Sequence, residues 1–327
     1  MIETLRTYES GSFDPYLNLA MEQHLLETVE GGCCLLYLWQ NQNTVVIGRN
    51  QNPWSECRAS LLEEEGGHLA RRLSGGGAVF HDLGNLNFTF LVPTEDYDLE
   101  KQQRVLLSAC QSFGIPAELS GRNDLTAGGR KFSGNAFYQN GSRSYHHGTL
   151  LLNVNREKLS RYLTPSKAKL EAKGVPSVRS RVVNLIELCP SITVVSLKKA
   201  LIAAFEEVYG MKSCPESIPD ADQTRIAELR EFYSSWSWRF GKKLPFTVRC
   251  EGRFPWGGVE LQLDINEGFI RAAKLYTDAM NDGLASELES VITGKSFRKE
   301  DIKLALKKSC IRQDQQEDLL NLISSVL

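Results

Sequence analysis

An Asn-Gly dipeptide near the middle of the chain constrains the fold more than any other feature of the sequence. It lies at Asn140-Gly141, between two segments of strand-forming residues at 131–138 and 147–154. Asn-Gly between two strands is the strongest short-range signal for an antiparallel hairpin, because the tight turn needs residues that tolerate positive φ. The sequence therefore predicts a pair of antiparallel strands here.

Other apolar segments predict further strands and helices. Residues 35–39 and 44–48 are rich in aliphatic, aromatic or β-branched side chains, and the polar sequence between them predicts a second hairpin. Residues 87–92 alternate in polarity, which predicts a half-buried strand ending at Pro93. Helical spacing or composition predicts four helices, at 14–30, 53–65, 105–113 and from the N-cap Ser196 to Gly210.

The pattern changes around residues 241–245, where a new unit begins. Two alternating segments follow at 259–265 and 269–276, joined by a turn, and the tail carries an apolar stripe at helical spacing. A chain of 327 residues is about twice the length of a typical domain. The sequence therefore predicts two domains, 1–245 and 246–327, the second a small α+β unit.

Charge and cysteine content exclude several classes of protein. Lys and Arg number 38 against 40 Asp and Glu, so no overall charge favours nucleic acid or an anionic membrane. No run of 18 apolar residues and no secretory start are visible, so we expect a cytoplasmic protein without a membrane segment. The eight cysteines lack zinc-ligand spacing, so we expect reduced thiols and neither zinc nor haem.

A glycine-rich segment at 70–82 is the first candidate for chemistry. Arg71 and Arg72 precede Ser74 and three glycines, Gly75 to Gly77, and a strand follows. Glycines let backbone N–H groups approach an anion, and arginines add bidentate phosphate donors. The alternative is a flexible surface turn with solvated arginines, because glycine-rich loops are common between secondary-structure elements. The segment is neither a Walker A loop nor a dinucleotide fingerprint.

A second candidate segment runs from 120 to 136 and contains Asp124 and Lys131. As a regular strand, it would place Lys131, Ser133 and Asn135 on one face, opposite a face of small and apolar residues. That packing would anchor the lysine beside polar groups. The alternative is a solvated surface lysine, which is the usual place for this residue type.

Adjacent histidines at 146 and 147 form the third candidate. Neighbouring residues on a strand point to opposite faces, so the two cannot bind one metal together. Either His147 or Gly148 can line a cleft, with ordinary packing as the alternative. We find no Ser-His-Asp or Cys-His arrangement in the sequence, and therefore expect no covalent acyl-enzyme.

These segments, in this order, resemble the lipoate-protein ligase A family along the whole chain. The resemblance rests on the segments beginning at residues 50, 71, 121, 130, 146, 172 and 254, which read NQNPW, RRLSGGGAVFHDLGN, GRNDL, RKFSG, HHGTLL, AKGVPSVRSRVVNL and FPWGGVEL. It implies an α+β fold, with a mixed-sheet catalytic domain related to biotin ligases and a small α+β C-terminal accessory domain.

The resemblance also implies roles for individual residues. Lys131 matches the catalytic lysine, Asp124 is a candidate for holding Mg2+, and the 167–181 segment resembles a loop that folds over the adenylate. The implied ATP and adenylate contacts are Arg72, Gly77, Ala78, Val79, Phe80, Asn123, Asp124 and Lys131. The implied lipoate contacts are Arg71, Ser74, Gly75, Gly76, Lys131, His147 and Gly148.

The implied activity is an ATP- and Mg2+-dependent ligation of lipoate to a lysine of lipoyl-domain proteins through lipoyl-AMP. Acceptors would be acyltransferase subunits of 2-oxoacid dehydrogenases and the glycine cleavage H protein. We expect the chain itself to be a monomer. One alternative is a lipoyl- or octanoyltransferase that takes a preformed acyl group without using ATP. A cysteine-dependent amidotransferase and a non-catalytic lipoate or nucleotide carrier are further alternatives.

Overall fold

The computed structural model describes residues 1–121, 123–164, 182–241 and 244–327. The strands are β1 Thr4–Glu9, β2 Cys33–Trp39, β3 Thr44–Ile47, β4 His68–Arg71, β5 Val79–His81, β6 Asn85–Pro93, β7 Ala117–Ser120, β8 Asp124–Ala127, β9 Arg130–Asn140, β10 Arg143–Leu151, β11 Ser213–Pro215, β12 Val248–Phe254, β13 Gly257–Asn266 and β14 Phe269–Thr277. The α-helices are α1 Pro15–Thr28, α2 Pro53–Glu56, α3 Ala59–Glu64, α4 Leu99–Gln111, α5 Arg156–Tyr162, α6 Val194–Tyr209, α7 Gln223–Ser234, α8 Trp236–Arg239, α9 Leu284–Ile292, α10 Lys299–Lys307 and α11 Gln313–Ser324.

A mixed eight-stranded sheet organises most of the chain. Its strand order is β11-β1-β2-β6-β10-β9-β8-β7. β1 pairs in parallel with both β11 and β2, whereas the pairs from β2 to β7 are antiparallel. The predicted α+β class with a mixed sheet is confirmed, and the predicted hairpin at 131–154 is the β9–β10 pair.

Helices cover both faces of this sheet. Leu35, Tyr37 and Trp39 of β2 pack in one core with side chains of α1 and α7, while Leu36 and Leu38 pack in the opposite core with α4 and α6. Burying a large apolar side chain contributes about 1.5–3 kcal/mol, so both faces favour continuous apolar strands. The same argument explains why β6, predicted as half-buried, is buried along its whole length.

The predicted hairpin at 35–48 is wrong, although both of its strands exist. β2 belongs to the large sheet, whereas β3 lies at the centre of a small sheet of order β4-β3-β5. Between them, Asn41 is fully buried and its side chain is hydrogen-bonded to Asn18 and faces His81. The polar connection therefore crosses between two sheets and does not form a surface turn.

Two helix predictions also need correction. The segment 53–65 forms two short helices, α2 and α3, because Cys57 between them forms a β-bridge with Leu163. At the start of α6 the N-cap is Thr193 and not Ser196, since the Thr193 hydroxyl accepts a hydrogen bond from the Ser196 N–H. Ser196 completes this capping box from inside the helix.

The last eighty residues carry their own small sheet, of order β12-β13-β14, and the helices α9 to α11. The two predicted strands are β13 and β14, and the sequence missed β12. Most of the buried apolar side chains of this region form one cluster drawn from residues 250–323. We retain the proposed domain boundary at 245 because, in the part of the chain that the structure describes, this cluster includes no residue from before it.

None of the described helices is long and apolar enough to cross a membrane. All eight cysteines are free thiols, and five of them are buried. For Cys110, burial raises the pKa of the thiol to about 12, which keeps it protonated at neutral pH.

The core histidine His146 makes the stability of the fold depend on pH. It is fully buried among the rings of Phe88, Phe90 and Phe137, and burial lowers its pKa from 6.5 to about 3. The unfolded chain takes up this proton below about pH 6.5 while the folded chain does not. We therefore expect the free energy of unfolding to fall by about 1.4 kcal/mol per pH unit between pH 6.5 and 3 from this residue alone.

Urea unfolding at pH 7 and pH 5 measures this effect. The loss of stability between the two values should be about 2 kcal/mol smaller in His146→Gln than in the wild type. His68→Gln is the matched control, because it makes the same substitution at an exposed histidine. An equal pH dependence in His146→Gln and the wild type would contradict the assignment.

Candidate active site

A cavity of about 280 Å³ lies between the large sheet, the small sheet and the C-terminal region. The large sheet contributes Trp39, Asn87, His147 and Thr149, and the small sheet contributes Val46 and His81. Further lining residues are Leu19, Glu56, Arg72, Gly76, Gly77, Ala78, Val79, Asn123, Asp124, Lys131, Gly134, Asn135, Ala136, Gly148, Leu163, Arg253, Pro255, Trp256, Gly257, Asp278 and Met280. Most of the predicted site residues therefore line one cavity.

Lys131 enters the cavity because β9 contains an irregularity. The pairing of β8 and β9 shifts between Leu125 and Thr126, so that Thr126 lies opposite Lys131. The lysine Nζ then lies over Gly134, 2.7 Å from where a Cβ of that glycine would be. The predicted face was therefore wrong: Lys131 lies with Gly134 and not with the fully buried Ser133. A β-bulge of this kind redirects a side chain, as is common near active sites.

Asp124, the first residue of the neighbouring strand β8, lies next to Lys131. Its Oδ1 lies 2.6 Å from the lysine Nζ, and both side chains are about one-fifth to one-quarter exposed. The preceding residue, Asn123, fixes the position of Asp124, because the side-chain amides of Asn123 and Asn135 each donate to the other residue's main-chain carbonyl, at 2.8 and 2.9 Å. The arrangement presents a cation and a carboxylate together on the cavity wall.

Arg72 shapes the glycine-rich loop from inside it. Its guanidinium donates to the carbonyls of Gly75, Gly77 and Val46 at 2.7 to 3.2 Å, and to the Ser74 hydroxyl at 3.0 Å. Burial lowers the pKa of Arg72 to about 10, so the side chain stays charged at neutral pH. The loop is therefore an ordered structure around a buried cation, and the alternative of a solvated surface turn is excluded.

Four predicted contacts do not line the cavity: Arg71, Ser74, Gly75 and Phe80. The Phe80 ring packs in the core against Tyr162. Gly75 lies against the main chain of Ala279 and Met280, where a Cβ would collide with both. The Arg71 guanidinium donates to five main-chain carbonyls, those of Gly48, Arg49, Gln51, Trp238 and Arg239. These bonds give Arg71 a structural role, and its contact with lipoate stays a prediction.

His147 belongs to a buried chain of hydrogen bonds that the sequence did not reveal. Its Nδ1 lies 2.8 Å from the Glu22 carboxylate, and its Nε2 lies 2.8 Å from the Ser74 hydroxyl. The Glu22 carboxylate also accepts from Thr89, whose hydroxyl accepts from Trp39 Nε1. The carboxylate assigns the proton to Nδ1, so that Nε2 accepts from Ser74.

This Ser-His-Glu order corrects the expectation that no such arrangement exists. Ser74 has no exposed surface and does not line the cavity, so its hydroxyl cannot reach a substrate carbonyl. A serine nucleophile needs an open approach as well as an adjacent base. The chain of hydrogen bonds therefore orients His147 and the loop, and the expectation of no covalent acyl-enzyme stays a prediction.

The C-terminal region supplies cavity residues that sequence reasoning missed, namely Arg253, Trp256, Asp278 and Met280. Arg253 donates to the Asp278 carboxylate at 3.0 Å, and the Gly76 N–H donates to the carbonyl of Ala279. Of these four, only Trp256 lies in a segment that the sequence singled out, FPWGGVEL, and that segment carried no residue roles. The described residues contain no group of three or more His, Cys, Asp or Glu that could hold a metal. The 167–181 loop lies outside the described residues.

Family models match both parts of the chain. Residues 14–206 match the lipoyl protein ligase A/B catalytic domain, and residues 243–323 match the bacterial lipoate protein ligase C-terminus. The lipoate-protein ligase A of Psychrobacter cryohalolentis is 44% identical over 307 residues, covering 91% of each chain. That of Bdellovibrio bacteriovorus is 42% identical over 312 residues, covering 93% of this chain and 92% of the relative.

Solved structures agree with these matches. LipL1 of P. falciparum, in complex with lipoate, superposes with a TM-score of 0.85 at 29% identity, covering 98% of this chain and 99% of that one. A lipoate-protein ligase A bound with ATP superposes with a TM-score of 0.64 at 26% identity, covering 74% of this chain and 99% of that one. On the cavity geometry and these comparisons, the chain belongs to the lipoate-protein ligase A family.

Proposed function

We propose that the chain is an ATP-dependent lipoate-protein ligase that forms lipoyl-AMP and transfers the lipoyl group to a lysine of an acceptor protein. The observation that carries this proposal is the position of the Lys131 ammonium, which lies over Gly134 on the wall of the cavity beside Asp124. Relatives that carry the ligase name support the substrate, and a neighbour solved with ATP supports the nucleotide.

The chemistry requires activation before transfer. A carboxylate repels a nucleophile, so a lipoate oxygen first attacks the α-phosphorus of ATP and pyrophosphate leaves. The mixed anhydride then has AMP as its leaving group. When the acceptor amine attacks the acyl carbon, the C–N bond forms, the C–O bond to AMP breaks, and the amine loses its proton.

Lys131 suits the first step because both reactants are anions. An ammonium held between the lipoate carboxylate and the α-phosphate reduces their repulsion and stabilises the charge that develops on the phosphoryl oxygens. Asn123 and Asp124 line the cavity beside Lys131. The adjoining loop, from Gly76 to Val79, gives the nucleotide a lining of backbone and small side chains.

The donor set is compatible with Mg2+ that arrives with the nucleotide. Mg2+ is commonly held by one or two carboxylates together with phosphate oxygens, and Asp124 offers a carboxylate on the cavity wall. When bound there, the ion would neutralise charge on the pyrophosphate. We propose Asp124 as its protein ligand, and lipoyl-domain proteins as the acceptors.

Pyrophosphate exchange into ATP tests the first step. We expect lipoate-dependent exchange of labelled pyrophosphate in the wild type with Mg2+ and without acceptor protein. Lys131→Ala should lose at least about 10²–10³ in rate, because it removes a fixed charge at the reacting oxygens. Arg130→Ala is the matched control, since Arg130 is on the same strand but exposed, and it should retain exchange.

Absence of exchange in the wild type would reject the adenylating ligase and favour an acyltransferase that takes a preformed acyl group. Exchange that persists in Lys131→Ala would instead support the ligase activity and contradict the central role of Lys131.

Gly134→Ala tests the placement of the lysine separately from its charge. A Cβ at this position would displace the flexible end of Lys131, which lies 2.7 Å away. We expect an exchange rate lower by about 10²-fold, as is typical of a misplacement of about 1 Å, with little change in thermal unfolding. Gly31→Ala is the control, because nothing lies within 4 Å of a Cβ there. Full activity in Gly134→Ala would show that the lysine position is not critical.

A further inference from the structure

We infer that His81 and Asn87 select the sulfur-containing ring of lipoate over a plain eight-carbon chain, by donating hydrogen bonds to its sulfur atoms. This inference rests on the proposed function and concerns the inner end of the same cavity. Both side chains line the cavity and are at least 97% buried. Among the described residues, His81 Nε2 and Asn87 Nδ2 have no hydrogen-bond partner.

The hydrogen-bond network identifies His81 Nε2 as a donor. The Asn18 amide donates to Asn41 Oδ1 at 3.0 Å, which turns the Asn41 amide nitrogen toward His81 Nδ1 at 3.2 Å. Nδ1 therefore accepts, and the proton of the imidazole is on Nε2. Burial and the nearby Arg72 lower the pKa of His81 to about 3, so the ring stays neutral and keeps a single N–H.

Asn87 is oriented in a similar way. Its Oδ1 accepts from the Asn85 side chain at 2.8 Å, and the amide N–H groups are buried without a partner among the described residues. A buried polar group without a partner costs about 1–3 kcal/mol. Two such donors in one apolar recess therefore indicate a ligand that accepts hydrogen bonds there.

The strand register places this end of the cavity at a suitable distance from Lys131. Asn87 lies opposite Thr149 on β10, and the Thr149 hydroxyl accepts from the N–H of Gly134 on β9. Asn87 is therefore two strands, or about 10 Å, from the glycine over which the lysine Nζ lies. Extended lipoate, chain and ring together, spans a similar distance when its carboxylate lies at Lys131.

The walls around the two donors suit a small apolar ring. Trp39 lies opposite Asn87 in the strand register, and its ring is 6.2 Å from that of His81. Leu19 and Val46 complete the recess. The sulfur atoms of a dithiolane are weak acceptors, whereas a hydrocarbon chain has none and would leave both N–H groups unpaired. A site built to hydrogen-bond its ligand rejects analogues that lack the matching group.

Three acids in the pyrophosphate exchange assay test the inference on the intact enzyme. They are lipoate, octanoate and 5-cyclopentylpentanoate, whose carbocyclic ring has the shape of the dithiolane without its sulfurs. We expect kcat/KM for lipoate to exceed that for each sulfur-free acid by about tenfold, because the sulfur acceptors are weak. Equal values for lipoate and the cyclopentyl acid would overturn the inference, since shape alone would then explain selection.

Variants assign the preference to the two residues. His81→Phe and Asn87→Leu should each lower the ratio of lipoate to cyclopentyl acid toward one, whereas His81→Gln, which keeps a donor, should retain part of it. Val46→Ala is the matched control on the same wall, and it should change kcat/KM for both acids alike. An unchanged ratio in both donor variants would overturn the inference.

The outcomes separate this inference from the proposed function. Exchange with all three acids at equal efficiency overturns the role of the donors and leaves the ligase in place. No exchange with any acid rejects the ligase itself, and the inference with it. If a variant does not fold, the wild-type series still decides, because all three acids are compared on one protein.

Discussion

The structure of the site depends on burying one cation, the guanidinium of Arg72. Removing a charge from water is costly unless its donors are satisfied, and here carbonyls and a hydroxyl satisfy them. Val46 belongs to the small sheet, whereas Gly75 and Gly77 belong to the loop. The loop must therefore curl around the guanidinium, and this curl forms one wall of the cavity.

The same cation connects the small sheet to the large one. Arg72 donates to Ser74, Ser74 lies within hydrogen-bond distance of His147 on β10, and His147 reaches Glu22 on α1. Each link fixes the orientation of the next, because a hydroxyl or imidazole that donates on one side accepts on the other. The distance between the two sheets is therefore set by hydrogen bonds, which keeps the space between them open for a substrate.

Glycines adapt this framework to the C-terminal region and to the lysine. At Gly75 the absence of a side chain lets the main chain of Ala279 approach, so that the neighbouring Met280 lines the cavity. At Gly134 it leaves space for the end of Lys131. Gly75 thus leaves room for a distant segment of main chain, and Gly134 leaves room for the lysine ammonium. In both cases another atom of the site occupies the space that a Cβ would fill.

The sequence predicted the parts of the site that depend on local signals. The Asn140-Gly141 turn predicted the β9–β10 hairpin, and ten of the fourteen site residues implied by the resemblance line the cavity. It failed where pairing is decided by distant segments: β2 and β3 separate into two sheets, and the shift between Leu125 and Thr126 turns Lys131 to the other face. Glu22 was missed for the same reason, since only the folded chain brings a helical glutamate, a loop serine and a strand histidine together. Hydrogen-bond partners separated by 73 and 125 residues leave no periodic pattern, so the chemistry of single residues was predictable while their mutual orientation was not.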